Sequence, residues 1–182
     1  MSLYLARLFQ LCILSGTTPR RWNTSVIYLL PKDSEPPIDV TKVRPLSIFV
    51  MFRRIFEGLL LPVFTDETVS FNRLHPCQAG FLKGYSTLTH ALICHHALST
   101  KDVRLAIFLD FKSAYDKTPA SRVLESLKRR GMPSLLRRLI QNLMFRDMNF
   151  HLVLNGDLSE IAPRNCGLPQ GSALSPIIFD IF

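Results

Sequence analysis

The chain has 182 residues, of which 47% are hydrophobic, so it is long enough to bury a core in one domain or slightly more. Its formal net charge of +8 favours a polyanionic partner such as nucleic acid. The four cysteines are far apart and form no C-x-x-C pair. This spacing argues against a disulfide framework and favours reduced thiols in an intracellular setting, cytoplasm or nucleus.

The first third of the chain predicts a helix and a hairpin. Residues 3–14 have apolar side chains at helical spacing, and Gly16 follows as a natural stop. This run is too short to cross a bilayer and has no basic region before it, so we expect no transmembrane segment, no signal peptide and no membrane partner. Residues 26–30 are rich in β-forming types, and a second extended segment near Val43 completes a hairpin-like unit with an exposed polar turn at 33–37.

The central part of the chain predicts two helices and a strand. Residues 49–64 carry Phe, Ile and Leu at helical spacing, with Arg53, Arg54 and Glu57 on another face. Ser86 can cap a second helix that runs to about residue 98. An apolar run at 104–110 then predicts a strand that ends in a carboxylate.

The last part of the chain adds helices and a second hairpin. Thr118 as N-cap and Pro119 at the first position predict a helix start, and a further helix follows near Pro133. The dipeptide Asn155-Gly156 is a favoured hairpin turn between two short strands. Because helices and strands are mixed without regular βαβ alternation, the predicted fold class is α+β, with an antiparallel sheet packed on helices.

Two segments carry residue types that suit metal and phosphate chemistry. A carboxylate at a strand end, such as Asp110, suits a divalent cation, because hard cations prefer oxygen ligands on a rigid element. Residues 167–176 read Gly-Leu-Pro-Gln-Gly-Ser-Ala-Leu-Ser-Pro, a turn that leads into a helix. Free backbone N–H groups at a helix start suit phosphate or a nucleic-acid backbone.

Four blocks in this order resemble the reverse transcriptases, especially those of non-LTR (LINE-type) retrotransposons. The blocks are Arg-Pro-Leu-Ser-Ile at 44–48, Gln-Ala-Gly-Phe-Leu-Lys-Gly-Tyr-Ser-Thr at 78–87, Leu-Asp-Phe-Lys-Ser-Ala-Tyr-Asp at 109–116 and Leu-Pro-Gln-Gly at 168–171. The resemblance implies a right-hand polymerase fold, with an N-terminal helix and fingers over residues 1–100 and a partial palm over 101–182. It also implies an RNA-directed DNA polymerase that acts with an RNA template, a DNA primer and deoxynucleoside triphosphates.

The resemblance implies roles for individual residues as well. Asp110 is expected to be the catalytic metal ligand for Mg²⁺ or Mn²⁺, with the backbone carbonyl of Phe111 as a second metal contact. Tyr115 matches the aromatic position beneath the incoming sugar, but its residue type fits a core aromatic as well. The expected nucleotide-binding residues are Lys32, Arg44, Phe111, Ser113, Ala114, Tyr115, Gln170 and Gly171. The expected nucleic-acid contacts are Lys83, Gly84, Arg146 and Ser172.

The family's second acidic motif, an aromatic-Ala-Asp-Asp hairpin, does not occur in the sequence. Asp180 is no substitute, because we expect it to be a surface residue of the last helix. Asp110 alone cannot hold two metal ions, so we expect a truncated polymerase that is inactive by itself. The open alternatives are a non-catalytic nucleic-acid-binding remnant, a group II intron-type reverse transcriptase, and a relic without function.

Overall fold

The computed structural model describes residues 2–32, 42–66, 74–75, 77–100 and 105–182. These ranges contain six α-helices, five strands and one short 3-10 helix, Arg20–Asn23. The helices are α1 (Ser2–Ser15), α2 (Met51–Thr65), α3 (Thr87–Ser99), α4 (Ala120–Arg129), α5 (Ser134–Met144) and α6 (Ser175–Ile181). The strands are β1 (Thr24–Pro31), β2 (Val43–Phe49), β3 (Asn149–Leu154), β4 (Asp157–Leu158) and β5 (Ala162–Pro163). The α+β class is therefore confirmed.

The sheet differs from the predicted antiparallel arrangement in one pairing. β1 pairs antiparallel with β2, which confirms the first hairpin, whose predicted tip at 33–37 lies outside the described residues. β1 also pairs with β3, and this pairing is parallel. Because helical segments separate β1 from β3 in the chain, the two strands are joined by a crossover, which permits the parallel direction. Local hairpin signals carry no information on such a distant pair.

The second hairpin forms where the sequence predicts it. β3 pairs antiparallel with β4 through the turn at Asn155 and Gly156. Both turn residues have left-handed backbone angles, with φ of 51° and 94°, as a type I′ turn requires. β3 pairs antiparallel with β5 as well. The first four residues of β3, 149–152, thus lie beside β1, and its last two residues pair with β4.

The hydrophobic core joins α1, α2, α4, α5 and α6. α2 contributes Phe56, Leu60 and Phe64, which follow each other at four-residue spacing on one side of the helix. The rings of Phe9, Trp22 and Phe56 form an aromatic cluster with centroids 5.1 to 6.0 Å apart. Burying one such side chain stabilises a fold by about 1.5–3 kcal/mol, so these helices hold the described core together.

Two helix caps were predicted, and one of them is displaced. Ser86 caps α3 as predicted, because its side chain accepts a hydrogen bond from the N–H of Thr89. α4 begins one residue later than predicted, with Pro119 at the N-cap position and no side-chain cap. The Thr118 hydroxyl donates instead to the carbonyl of Ala114 at 2.8 Å, so it closes the preceding turn.

The predicted strand at 104–110 is wrong over its described residues, 105–110. This segment forms no regular secondary structure, and Phe108 and Leu109 are 83% and 86% exposed. A strand needs a neighbouring backbone to bond, and none of the described strands pairs with this segment.

In the same described ranges, every helix is too short or too polar to pass through a bilayer.

Candidate functional site

A cavity of about 670 Å³ brings together several distant parts of the chain. Its volume is in the range of small-molecule sites. The lining residues are Leu29, Lys32, Val43, Arg44, Pro45, Asp110, Phe111, Lys112, Ser113, Asp116, Leu152 and Gln170. Six of them were predicted as site residues from the sequence: Lys32, Arg44, Asp110, Phe111, Ser113 and Gln170.

The cationic side of the cavity lies where β1 ends and β2 begins. Arg44 lies opposite Leu30 in the β1–β2 register, and the N–H of Lys32 donates to the carbonyl of Lys42 at 2.9 Å. This backbone bond extends the pairing by one step beyond β1. The hairpin therefore brings Lys32 and Arg44 to one end of the sheet, where an ammonium and a forked guanidinium can both reach an anion.

The turn at 112–117 carries the opposite side of the cavity. Ser113 has a left-handed backbone, with φ of 57°, which is uncommon for a residue other than glycine. Its carbonyl accepts from the N–H of Lys117 at 3.0 Å. The carbonyl of Tyr115 accepts from the N–H of Leu168 at 2.8 Å. The first bond closes the turn, and the second attaches it to the Gly-Leu-Pro-Gln segment.

Two glycines of this segment are required by close backbone approach. A Cβ at Gly167 would lie 2.6 Å from the carbonyl oxygen of Asp116, and one at Gly171 would lie 2.2 Å from that of Ser47. Both glycines have positive φ, 78° and 122°. The N–H of Ser47 also donates to the carbonyl of Gln170 at 2.6 Å. Gln170 is therefore held between β2 and the turn at 112–117.

The side chain of Gln170 is oriented by a carboxylate. Its Nε2 lies 3.4 Å from both carboxylate oxygens of Asp116 and donates to that group. The amide oxygen is then the group left for a hydrogen-bond donor in the cavity. Arg164 supports the same segment by donating to the carbonyls of Cys166 and Leu168. Burial lowers the pKa of Arg164, while the charge of Asp116 raises it.

Three predicted nucleotide-binding residues do not line the cavity: Ala114, Tyr115 and Gly171. Tyr115 stacks on Phe179 of α6 with ring centroids 5.3 Å apart, and it meets Phe81 edge-on at 6.5 Å. Burial raises the pKa of the Tyr115 hydroxyl, and so does the nearby charge of Asp180. The alternative of a packing aromatic fits these contacts, and a contact of Tyr115 with a sugar stays a prediction.

The four predicted nucleic-acid contacts lie in different surroundings. Ser172 is buried, and its hydroxyl donates to Glu57 at 2.8 Å, so a contact of Ser172 with nucleic acid stays a prediction. Lys83 and Gly84 are exposed, and Lys83 lines a second cavity of about 460 Å³. Arg146 is exposed and lies 3.7 Å from the carboxylate of Asp147.

The sequence predicted that Arg53 and Glu57 lie away from the apolar face of α2. The structure buries both residues, at 0% and 1% exposure. Arg53 Nε donates to Glu57 Oε1 at 2.7 Å. The other guanidinium nitrogens donate to the carbonyls of Trp22 at 3.0 Å and Leu143 at 2.7 Å. The guanidinium also lies 3.5 Å above the ring centroid of Phe49. Burial lowers the pKa of Arg53, although Glu57 opposes that shift.

Asp180 is not the surface residue that the sequence suggested. It is half-buried on α6, and its Oδ1 accepts from Nε2 of Gln78 at 2.8 Å. Its Oδ2 is buried and has no hydrogen-bond partner among the described residues. Burial raises the pKa of Asp180 to about 6, against a smaller opposing effect of the bond from Gln78.

The donor set for a metal ion is incomplete in the part of the chain that the structure describes. No group of three or more His, Cys, Asp or Glu side chains suitable for a metal occurs there. Asp110 and Asp116 both line the cavity, but divalent cations of the Mg²⁺ type take about six oxygen ligands. Two carboxylates and nearby carbonyls supply only part of such a shell.

Cations, carboxylates and an amide that converge on one cavity are the groups that proteins use to hold a nucleotide. Residues 30–182 match the family described as reverse transcriptase (RNA-dependent DNA polymerase). The match covers most of the sequence, so the chain belongs to the reverse transcriptase family. The resemblance inferred from the four sequence blocks is thereby confirmed.

Curated relatives come from mobile elements of insects. The chain is 28% identical over 184 residues to the RNA-directed DNA polymerase from mobile element jockey of Drosophila melanogaster, covering 98% of this chain and 20% of that protein. It is 24% identical over 184 residues to the probable RNA-directed DNA polymerase from transposon BS of the same species, covering 99% and 20%. A Pol polyprotein from the type-1 retrotransposable element R2 of Nasonia vitripennis is 29% identical over 175 residues, covering 95% and 17%. The chain thus spans a fifth or less of the length of these relatives.

Proposed function

We propose that the cavity binds the triphosphate of an incoming deoxynucleotide, as part of an RNA-directed DNA polymerase of a non-LTR retrotransposon. The observation that carries this proposal is the convergence of Lys32, Arg44, Asp110 and Gln170 on one cavity. These residues are far apart in the sequence, so it is the fold that brings their side chains to one cavity. The proposed division places fingers in residues 1–100 and palm in residues 101–182.

Each group has a separate proposed role. Arg44 offers a forked set of donors to phosphate oxygens, and Lys32 offers a point charge. The amide oxygen of Gln170 accepts a hydrogen bond from the sugar or base, because its nitrogen is engaged by Asp116. Such preorganised groups lower the cost of holding a highly charged substrate in one orientation.

Asp110 is the proposed carboxylate ligand of a divalent cation, Mg²⁺ or Mn²⁺, with the carbonyl of Phe111 beside it. A bound cation of this kind neutralises phosphate charge and activates an attacking hydroxyl. The carboxylates of the cavity supply only part of its shell, so the other ligands would be water, phosphate oxygens of the nucleotide or further protein oxygens.

An RNA template and a DNA primer are the proposed macromolecular partners. The net charge of +8 favours such a partner, and Lys83, Gly84 and Arg146 are exposed and can meet a phosphate backbone. Contacts of this kind release counterions, so the affinity for RNA should fall steeply as salt is raised.

The nucleotide proposal is tested by titrating a fluorescent deoxyadenosine triphosphate analogue with the 182-residue chain. Arg44→Ala should weaken binding roughly 10- to 100-fold, because one charge-assisted contact to phosphate is lost. Arg122→Ala is the matched control, because Arg122 is exposed on α4, pairs with Glu125 and does not line the cavity. Binding that Arg44→Ala leaves unchanged, or that Arg122→Ala weakens equally, would contradict the assignment.

A further inference from the structure

We propose that Arg53 and Glu57 are positioning residues for Gln170. Their buried ion pair fixes the chain just after Gly171 and thereby holds the Gln170 amide at the cavity. The inference rests on the proposed role of the cavity as a nucleotide site, and it adds residues that do not line the cavity themselves.

Glu57 connects two parts of the chain through both of its carboxylate oxygens. Oε1 accepts from Arg53 Nε at 2.7 Å, one turn earlier on α2. Oε2 accepts from the hydroxyl of Ser172 at 2.8 Å and from the backbone N–H of Ala173 at 2.9 Å. The anchored residues are the second and third after Gln170. A carboxylate of α2 therefore serves as the acceptor for the segment that leads into α6.

Arg53 extends this anchor to other elements of the core. Its guanidinium donates to the carbonyls of Trp22 and Leu143, which belong to the 3-10 helix and to α5. A buried charge is tolerated only when donors and acceptors satisfy it, and both partners here meet that condition. The segment after Gly171 is thus tied to three elements that pack independently of the cavity.

Gln170 is fixed at its own carbonyl and, two residues later, at Ser172. Its carbonyl accepts from the N–H of Ser47 on β2 at 2.6 Å. Only Gly171 separates it from Ser172, and Gly171 is pressed against the carbonyl of Ser47. With one residue between two anchors, the main chain has little freedom, so the direction of the Gln170 side chain towards Asp116 is determined by both.

A purely stabilising role would not require charges at these positions. Apolar residues of similar volume often replace a buried ion pair with little change in stability, or with a gain. Such residues offer no acceptor to the N–H of Ala173 or to the hydroxyl of Ser172. The positioning role therefore predicts a loss that is separate from any loss of stability.

The test is the double variant Arg53→Met with Glu57→Met, studied by amide hydrogen exchange of residues 169–175 and by the fluorescent nucleotide titration. We expect a folded protein with faster exchange at Ala173 and with about tenfold weaker nucleotide binding, the factor expected for a lost hydrogen bond. Gln170→Ala should weaken binding by a similar factor in the wild-type chain and add little in the double variant, because the two changes act through one group.

The matched control replaces the exposed pair on α4, Arg122→Met with Glu125→Met, and should change neither readout. Unchanged exchange at Ala173 in the folded double variant would overturn the inference. It would also be overturned if Gln170→Ala weakened binding as much in the double variant as in the wild-type chain.

If the double variant does not fold, Ser172→Ala is used, because it keeps the ion pair and removes one anchor. Faster exchange at Ala173 then supports the inference, and unchanged exchange overturns it. A wild-type chain that binds no nucleotide would defeat the proposed function, while the exchange measurement still decides the anchoring of Gln170.

Discussion

Helices α3 and α5 have similar lengths, 13 and 11 residues, but opposite surroundings. α5 buries Leu139, Ile140 and Leu143 on one stripe, with arginines on its other side. α3 also has many apolar residues, but it buries none of them, and Leu92 is exposed. Its apolar residues lie around more of the helix circumference, with histidines among them. Apolar content therefore does not decide burial; the arrangement of the apolar residues and the presence of a packing partner do.

The same contrast holds for extended segments. β1 is paired on both sides, whereas residues 105–111 have no paired neighbour among the described strands. We call α3 and residues 105–111 the exposed region, and α1, α2, α4 to α6 and the sheet the packed region. The cavity lies where the two regions meet, because Asp110 comes from the first and Arg44 comes from the second.

The first prediction tests the contrast between the two regions by removing one phenylalanine from each, and it carries the largest expected effect. Phe64 is 0% exposed and Phe108 is 83% exposed. Phe64→Ala should lower the free energy of unfolding by about 3–5 kcal/mol, because it leaves a cavity in the core. Phe108→Ala should change it by less than about 0.5 kcal/mol. Urea denaturation of both variants measures the difference, and similar losses would show that residues 105–111 are packed in solution.

Much of the fold follows from local signals in the sequence. α1, the first hairpin, the Ser86 cap and the Asn155-Gly156 turn were all predicted, because each depends on neighbouring residues. The strand at 104–110 was predicted wrongly, because its composition indicates burial but cannot supply a partner strand. The parallel pairing of β1 with β3 was not predicted, because it depends on a crossover through most of the chain.

The site was predicted in part, for a different reason. Lys32, Arg44, Asp110 and Gln170 were expected from the family resemblance, and all four line the cavity, while their roles stay predictions. Arg53 and Glu57 were missed, because an oppositely charged pair four residues apart on a helix usually faces water. The apolar residues of α2 did not indicate that this pair is buried, because they occupy both sides of the helix: Leu59 is exposed and Leu60 is buried. Only the packed structure shows which side is the inner one.

A smaller effect concerns pH and the burial of Asp180 in the packed region. Its pKa is raised from 3.8 to about 6 in the folded chain. Between about pH 4 and pH 6 the unfolded chain therefore loses a proton that the folded chain keeps, so the free energy of unfolding falls as the pH rises. Because the carboxyl is partly exposed, solvent screening limits the loss to about 1 kcal/mol.

Asp180→Asn removes this ionisation and keeps a polar oxygen for the bond from Gln78. Denaturation curves at a series of pH values should show wild type losing about 1 kcal/mol relative to Asp180→Asn between pH 4 and pH 7. A constant difference across that range would mean that water reaches the carboxyl as freely in the folded chain as in the unfolded one.

The last prediction, with the smallest expected effect, separates local from global stability by replacing two serines, the N-cap of α3 and one residue of α4. Ser86 caps α3, and the Ser126 hydroxyl of α4 donates to the carbonyl of Ile181 at 2.8 Å. Ser126→Ala should lower the global free energy of unfolding by about 1 kcal/mol, because it removes a bond between two packed helices. Ser86→Ala removes a cap of similar worth, about 0.5–1 kcal/mol, but from a helix that buries no residue. Its loss should therefore appear as faster amide exchange within α3, while the urea midpoint of the whole chain stays unchanged. A shift of that midpoint in Ser86→Ala would show that α3 unfolds together with the core, and the division into two regions would then be wrong.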